Sequence, residues 1–225
     1  MLKQIRLDFL WSKEKIDIVA LNYGKLVETY ERLASNAEEI LAVDGAANNL
    51  CNFLEHKDLP HPTKIVGDFD SINSSAKEFF QNVPQILIED QDSTDLEKAL
   101  GMLNLDKVTL ILGEIGGRFD HSISILSTLL RPQYLERDIF LLSESNIAFA
   151  LNSGSNQIHL GNKLDWKYCG YFPLQGQGKV STWGLKWDLQ EAQVQMGGLV
   201  SSSNEPTEQV IHINTTVPLI FSLSN

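Results

Sequence analysis

The chain has 225 residues, with 18 Lys plus Arg against 29 Asp plus Glu, for a formal net charge of −11. That balance excludes a basic footprint for nucleic acid or an anionic membrane surface and points to a small molecule or another protein as partner. Nothing approaches an apolar run of transmembrane length, and Met1 to Trp11 lacks the apolar stretch and cleavage site of a secretory leader. Cys51 and Cys169 are the only cysteines, which supports neither a disulfide framework nor a Cys-x-x-Cys metal pair and agrees with a reduced, cytoplasmic setting.

From residue 16 to about 142, β-branched apolar runs alternate with helix-like segments. Ile16–Leu21, Glu39–Val43, Lys64–Val66, Gln85–Ile88, Val108–Leu112 and Ile139–Leu142 read as strands. Most are continuously apolar, as strands covered on both faces are. Between them, Ser93 to Asn104 carries Leu96, Ala99, Leu100 and Leu103 at helical spacing, with Asp92 or Ser93 as the expected N-cap. The alternation predicts an α/β domain: a mostly parallel sheet flanked by helices, which binds ligands at the carboxyl ends of its strands.

After residue 145 the pattern changes to short runs, Gln157–Leu160, Lys167–Phe172, Lys179–Trp183, Ala192–Met196, Gln209–Ile213 and Pro218–Leu223, separated by Gly, Asn, Ser and Pro. These predict a small all-β sandwich. The expected division is 1–145 and 146–225, with the boundary in 143–153 and a polar turn at Asn152–Asn156.

Acidic residues recur where the strands of the first domain end. Asp44 follows Val43. Asp68 and Asp70 follow Gly67, two apart, so that in an extended segment both project to one side. Asp92 and Asp95 follow Ile88, and Asp120 follows the glycine-rich Gly113-Glu-Ile-Gly-Gly-Arg118. All four loops open at one edge of a parallel sheet, so these acids can converge there. Asp-x-Asp in a strand-end loop is a common way to hold Mg²⁺ against substrate phosphates, and it is equally a solvated turn. Gly113, Gly116 and Gly117 let backbone amides approach phosphates, or simply make a turn. Their spacing matches neither Gly-x-Gly-x-x-Gly nor a Walker A motif, so Arg118 and a metal would carry the charge neutralisation. The absence of Gly-x-Ser-x-Gly leaves acyl transfer without support. Trp183 and Trp187 read first as core aromatics, and alternatively as a platform for a flat cationic ring.

With these residues assembled, the chain resembles the thiamine pyrophosphokinase (thiamine diphosphokinase) family. The resemblance is carried, in order, by Val-Asp-Gly-Ala-Ala at 43–47, Gly-Asp-Phe-Asp-Ser at 67–71, Asp-Gln-Asp-Ser-Thr-Asp-Leu-Glu-Lys-Ala at 90–99, Gly-Gly-Arg-Phe-Asp-His at 116–121, Gly-Leu-Lys-Trp at 184–187 and Ser-Ser-Asn-Glu at 202–205. It implies transfer of a pyrophosphoryl group from ATP to thiamine by a homodimer whose active sites lie at the subunit interface. Carried over by motif, Asp68, Asp70 and Asp95 hold Mg²⁺, and Asp44 and Asp120 are the remaining catalytic acids, with Asp70 or Asp120 as proton acceptor. Thr94, Lys98, Gly116, Gly117 and Arg118 lie near the ATP phosphates, and Gln91, Ser203 and Asn204 contact thiamine. Two features depart from the family pattern: Glu114 stands in the glycine loop, and no aromatic follows within Glu205-Pro-Thr207.

Two other readings fit parts of the chain. Asp68-Phe-Asp-Ser-Ile72 loosely matches the Asp-x-Asp-x-Thr/Val of aspartyl-nucleophile phosphatases, although that motif normally follows a first strand and here follows the third. A non-catalytic nucleotide- or thiamine-binding regulator is the alternative outside catalysis.

Overall fold

The computed structural model describes residues 2–21, 27–90, 92–113, 118–161 and 166–225. Gln91, Glu114, Gly116 and Gly117 lie outside the described residues. In chain order, with short 3₁₀ turns omitted, the first elements are β1 (Leu2–Arg6), β2 (Ile16–Ala20), α1 (Val27–Leu33), β3 (Ala37–Val43), α2 (Ala46–Leu54), β4 (Lys64–Gly67) and α3 (Ser74–Phe79). Then come β5 (Gln85–Leu87), α4 (Asp95–Leu100), β6 (Val108–Leu112), α5 (Phe119–Leu129), α6 (Pro132–Leu135) and β7 (Ile139–Leu142). The remainder is strand: β8 (Asn146–Leu151), β9 (Gly154–His159), β10 (Tyr168–Phe172), β11 (Gln177–Trp183), β12 (Ala192–Gln195), β13 (Ser201–Asn204), β14 (Val210–Thr215) and β15 (Leu219–Ser224). The chain separates into two compact units, one of Lys13–Phe119 with Leu141–Glu144, the other of Met1–Ser12, Asp120–Phe140 and Ser145–Asn225.

The first unit is the expected α/β layer, with strands in the order β6-β2-β3-β4-β5 and every neighbouring pair parallel. Ile16, Ile18, Val19, Leu41, Val66, Leu110 and Ile111 are fully buried, which is why these strands read as unbroken apolar runs. Helix α4 packs across β2, β3 and β4, while α2 lies on β3 and α3. At the amino-terminal edge, Asp17 Oδ1 accepts from the Glu39 amide at 3.2 Å, and Glu39 Oε2 accepts from both Thr63 Oγ1 and Lys64 Nζ at 2.6 Å. These bonds tie β2, β3 and β4 together at the end of the sheet opposite the acidic loops. Hydrogen bonds from Lys64 and Thr63 hold the Glu39 carboxyl below its ordinary value, whereas burial pushes that of Asp17 up.

The second unit is the β-rich one, with strand orders β1-β9-β14-β11-β12 and β13-β10-β15-β8. Ile158, Ile211, Val180 and Val194 on the first sheet, and Phe149, Tyr171, Phe221 and Leu223 on the second, are buried as the inward faces of a sandwich. Three strands were not anticipated. β1 pairs in parallel with β9, Leu2 opposite Ser155 and Arg6 opposite His159, a partner about 150 residues away. β8 occupies the middle of the expected boundary region and is almost wholly buried, and because β9 begins at Gly154 only 152–153 is left of the expected polar turn. β13, Ser-Ser-Ser-Asn, has no apolar alternation to reveal it. Lys3 Nζ donates to the Leu135 carbonyl at 2.7 Å, which anchors β1 to the helical part of its own unit.

Both cysteines are free, as expected from their number and separation, and both are buried. Among the described residues no helix is long and apolar enough to cross a membrane.

Candidate active site

Because β3 and β4 are parallel neighbours with Val43 opposite Val66, the residues that follow them emerge side by side. The Asp44 amide donates to the Val66 carbonyl at 2.8 Å, and a β-carbon on Gly67 would come within 3.0 Å of the Asp44 Cβ. Only glycine lets the two strand ends approach this closely. Gly67 also has φ +151°, and Asp44 itself has φ +43°, so both strand ends leave the sheet through unusual backbone.

The Asp-Phe-Asp segment is not extended. Phe69 is left-handed at φ +65°, and the Asp70 amide donates to Asp68 Oδ1 at 3.2 Å in an Asx turn. The two carboxylates therefore converge by a turn rather than by strand alternation, and they converge on Asp44. Asp44, Asp68 and Asp70 each offer a carboxylate oxygen within 4.8 Å of the others. Two unit charges at that separation repel by about 1 kcal/mol in water and several-fold more near a protein surface. Asp44 is 9% exposed, and its Oδ1 is buried without a hydrogen-bond partner among the described residues. Asp44, with its orphaned buried oxygen, and the two carboxylates clustered with it make a hard-oxygen donor set suited to a divalent cation such as Mg²⁺.

The loop that follows is clamped from α2. Asn48 Nδ2 donates to the Ser71 carbonyl at 2.8 Å, and Asn48 Oδ1 accepts from the Asn73 amide at 2.9 Å. Ser71 Oγ donates to Asp70 Oδ1 at 2.6 Å. Asn48 carried no role in the sequence; its signal is its place directly after Val-Asp-Gly-Ala-Ala, in the first turn of α2.

Asp95 and its neighbours belong to α4. The N-cap is Thr94 rather than Asp92 or Ser93: Thr94 Oγ1 accepts from the Glu97 amide at 3.3 Å while Glu97 Oε2 accepts from the Thr94 amide at 3.0 Å, a capping box. The Asp92 amide and the Ser93 hydroxyl instead donate to Asp90, whose carboxyl they hold below the usual range. The helix stops at Gly101 after six residues, so the apolar stripe ends at Leu100 and Leu103 lies beyond it. Asp95 is not one of the three clustered carboxylates. Its Oδ1 accepts from Lys98 Nζ at 2.9 Å, and the Lys98 side chain is 4% exposed. Arg118 is exposed just before α5, and Asp120 is exposed in the first turn of that helix.

In the β-rich unit, Ser203 and Asn204 end β13. Ser203 is exposed and left-handed at φ +57°. Asn204 is buried and both ends of its amide are engaged: Oδ1 accepts from the Trp187 amide at 3.1 Å and the Glu205 amide at 2.9 Å, and Nδ2 donates to the Trp187 carbonyl at 3.0 Å. Its side chain therefore holds the Gly184–Trp187 turn. Trp183 and Trp187 are not core aromatics; they are 46% and 54% exposed, and Lys186 Nζ lies 4.7 Å from the Trp187 ring centroid.

The family model described as "Thiamin pyrophosphokinase, catalytic domain" matches residues 30–141, and that described as "Thiamin pyrophosphokinase, vitamin B1 binding domain" matches 155–220. Thiamin pyrophosphokinase 1 of Caenorhabditis elegans is 32% identical over 203 residues, covering 86% of this chain and 82% of the relative. The chain belongs to the thiamin pyrophosphokinase family. Thiamine pyrophosphokinase 1 of Arabidopsis thaliana is 32% identical over 215 residues, 85% of this chain and 80% of its own length. The solved structure of the thiamin pyrophosphokinase from Candida albicans has the same fold, with TM-score 0.86 at 23% identity over 99% of this chain and 92% of that one. Membership makes the chain an enzyme of the thiamine diphosphokinase class and favours neither the phosphohydrolase nor the non-catalytic regulator. Asp44, Asp68, Asp70, Asp95 and Lys98 fall in the stretch matched by the family's catalytic domain, and Ser203 and Asn204 in that matched by its vitamin B1 binding domain.

Proposed function

We propose that the chain transfers a pyrophosphoryl group from ATP to the hydroxyl of thiamine, with Mg²⁺ as the metal, giving thiamine diphosphate and AMP. The observation that carries this reading is the convergence of Asp44, Asp68 and Asp70, one of them with an orphaned buried oxygen, at the carboxyl edge of a parallel sheet. The thiamine oxygen bonds to the β-phosphorus, the bond between that phosphorus and the oxygen bridging to the α-phosphorus breaks, and the bridging oxygen departs with AMP. The hydroxyl proton passes to a carboxylate, for which Asp70 and Asp120, both exposed, are the candidates. No protein nucleophile is required, so the work of the residues is positioning and charge neutralisation.

Asp44 joins Asp68 and Asp70 in the proposed metal-holding set, and Asp95 is its further member by motif. A bound Mg²⁺ would supply charge neutralisation on the phosphate oxygens. Lys98, whose ammonium Asp95 orients, and Arg118 add positive charge for the phosphates, with Thr94, Gly116 and Gly117 beside them. Gln91 and Ser203 contact thiamine, while Asn204 acts by fixing Trp187. The proposed division of labour is a catalytic part, 1–145, and a thiamine-binding and dimerisation part, 146–225, in a cytoplasmic homodimer with active sites at the subunit interface. The exposed Trp183 and Trp187 in the β-rich unit are apolar surface of the kind that a second subunit covers.

Purified protein incubated with ATP, Mg²⁺ and thiamine tests the reading. AMP and thiamine diphosphate are expected in equal amounts, and both vanish with EDTA. ADP or phosphate released regardless of thiamine would replace the transferase with a phosphohydrolase.

A further inference from the structure

We propose that Asn48 is the positioning residue that pre-sets the three-carboxylate cluster for its cation, an inference that rests on the metal-holding reading of Asp44, Asp68 and Asp70. The loop from Gly67 to Asn73 is tied down at both ends to the turn that carries Asp44. At its start the tie is backbone: the Asp44 amide donates to the Val66 carbonyl, and the missing Gly67 side chain admits the Asp44 Cβ. At its end the tie is the Asn48 carboxamide, whose donor and acceptor each meet a main-chain group of the loop, at Ser71 and Asn73. Asp68 and Asp70 lie between the two ties. Ser71, held by its carbonyl, in turn donates its hydroxyl to Asp70 Oδ1.

The need for such a clip is electrostatic. Without a cation the three carboxylates repel, and the left-handed Phe69 makes the loop between the ties locally strained. If the far tie were released, the loop could relieve both by swinging Asp68 and Asp70 away from Asp44, and a cation would then have to reassemble the site as it binds. Only a side chain with one donor and one acceptor at this reach satisfies both Ser71 and Asn73. The clip is not needed to start α3, because Asn73 caps that helix with its own side chain, accepting from the Ala76 amide at 2.8 Å. Asn48 and the Asn73 side chain therefore separate cleanly: Asn73→Ala removes the cap but keeps the backbone amide that Asn48 receives.

Mn²⁺ binding to the purified full-length protein, without nucleotide or thiamine, is measured by electron paramagnetic resonance alongside thermal melting. Wild type is expected to bind Mn²⁺ in competition with Mg²⁺, and Asp68→Asn to lose that binding; failure of this pair would overturn the metal-site reading itself. With that control met, Asn48→Ala is expected to weaken Mn²⁺ affinity about 10–100-fold. The Mg²⁺ concentration for half-maximal turnover should rise in parallel, with the KM for thiamine within about twofold of wild type. Asn73→Ala is expected to lower the melting temperature yet keep wild-type Mn²⁺ affinity. Unchanged affinity in Asn48→Ala, or equal losses in Asn48→Ala and Asn73→Ala, would overturn the proposal. Asn48→Ser, which is smaller and cannot bridge both groups, takes the place of the alanine variant if that chain does not fold.

Discussion

Gly67 is where the geometry of the candidate site is most exposed to a single atom. A methyl group there would meet the Asp44 Cβ at 3.0 Å and would hold an unfavourable φ of +151°. Gly67→Ala is therefore expected to push Asp44 away from Asp68 and Asp70, lowering turnover about 10–100-fold at fixed Mg²⁺, with part of the loss recovered at higher Mg²⁺. A titration of rate against Mg²⁺ reads this directly. Asp70→Asn keeps the shape of the loop and the Ser71 contact but removes one of the three charges. It should cost several kcal/mol in transition-state stabilisation while the circular dichroism spectrum stays that of wild type. Near wild-type turnover in that folded variant would remove Asp70 from the metal set. The acids themselves were legible as residues. The turn that aims them was not, because nothing in Asp-Phe-Asp announces that Phe69 adopts a left-handed conformation.

At the scale of elements, α4 shows how little helix is needed when its start is well made. Six residues are too few to be stable alone, so the helix depends on its capping box and on packing across β2, β3 and β4. Thr94→Ala should destabilise the protein by about 1 kcal/mol in urea unfolding, through the lost cap. The amphipathic stripe was readable, but its length was not: Leu103 continues the spacing in sequence, while the chain turns away at Gly101. The parallel strands β2 to β4 carry a second, pH-dependent tie in Glu39. Its carboxyl is held below the ordinary glutamate range, so its contribution is fully present above that range and is lost as pH falls through the depressed value. Glu39→Gln should therefore be less stable than wild type near pH 7 and indistinguishable from it at strongly acid pH. The difference at pH 7 is expected to stay below about 1 kcal/mol, because the pair with Lys64 is more than a third exposed on the Glu39 side. Urea melts at the two pH values decide it.

For the whole molecule, the thiols report on whether both units close as described. Cys51 lies in α2 of the α/β unit and Cys169 in β10 of the β-rich unit, and both are buried. Burial raises both thiols, that of Cys169 to about 12. Neither should react with a thiol reagent such as DTNB in the native protein at pH 8, and both should react in denaturant. Fast reaction of one thiol in the native state would show that its own unit opens.

Sequence alone determined the α/β layer, because strands buried on two faces must be continuously apolar and the helices between them must be amphipathic. It also determined the order of the motifs and hence the family, since each motif is a local string. Tertiary structure decided which acids meet, and it put Asp44 with Asp68 and Asp70 because β3 and β4 are adjacent and parallel, a pairing no local string encodes. The same holds for β1, whose partner strand lies about 150 residues away, and for Trp187, which a core reading would have buried but which Asn204 holds at the surface. Local chemistry is written in neighbouring residues. Convergence and exposure depend on contacts between distant ones, which exist only once the chain has packed.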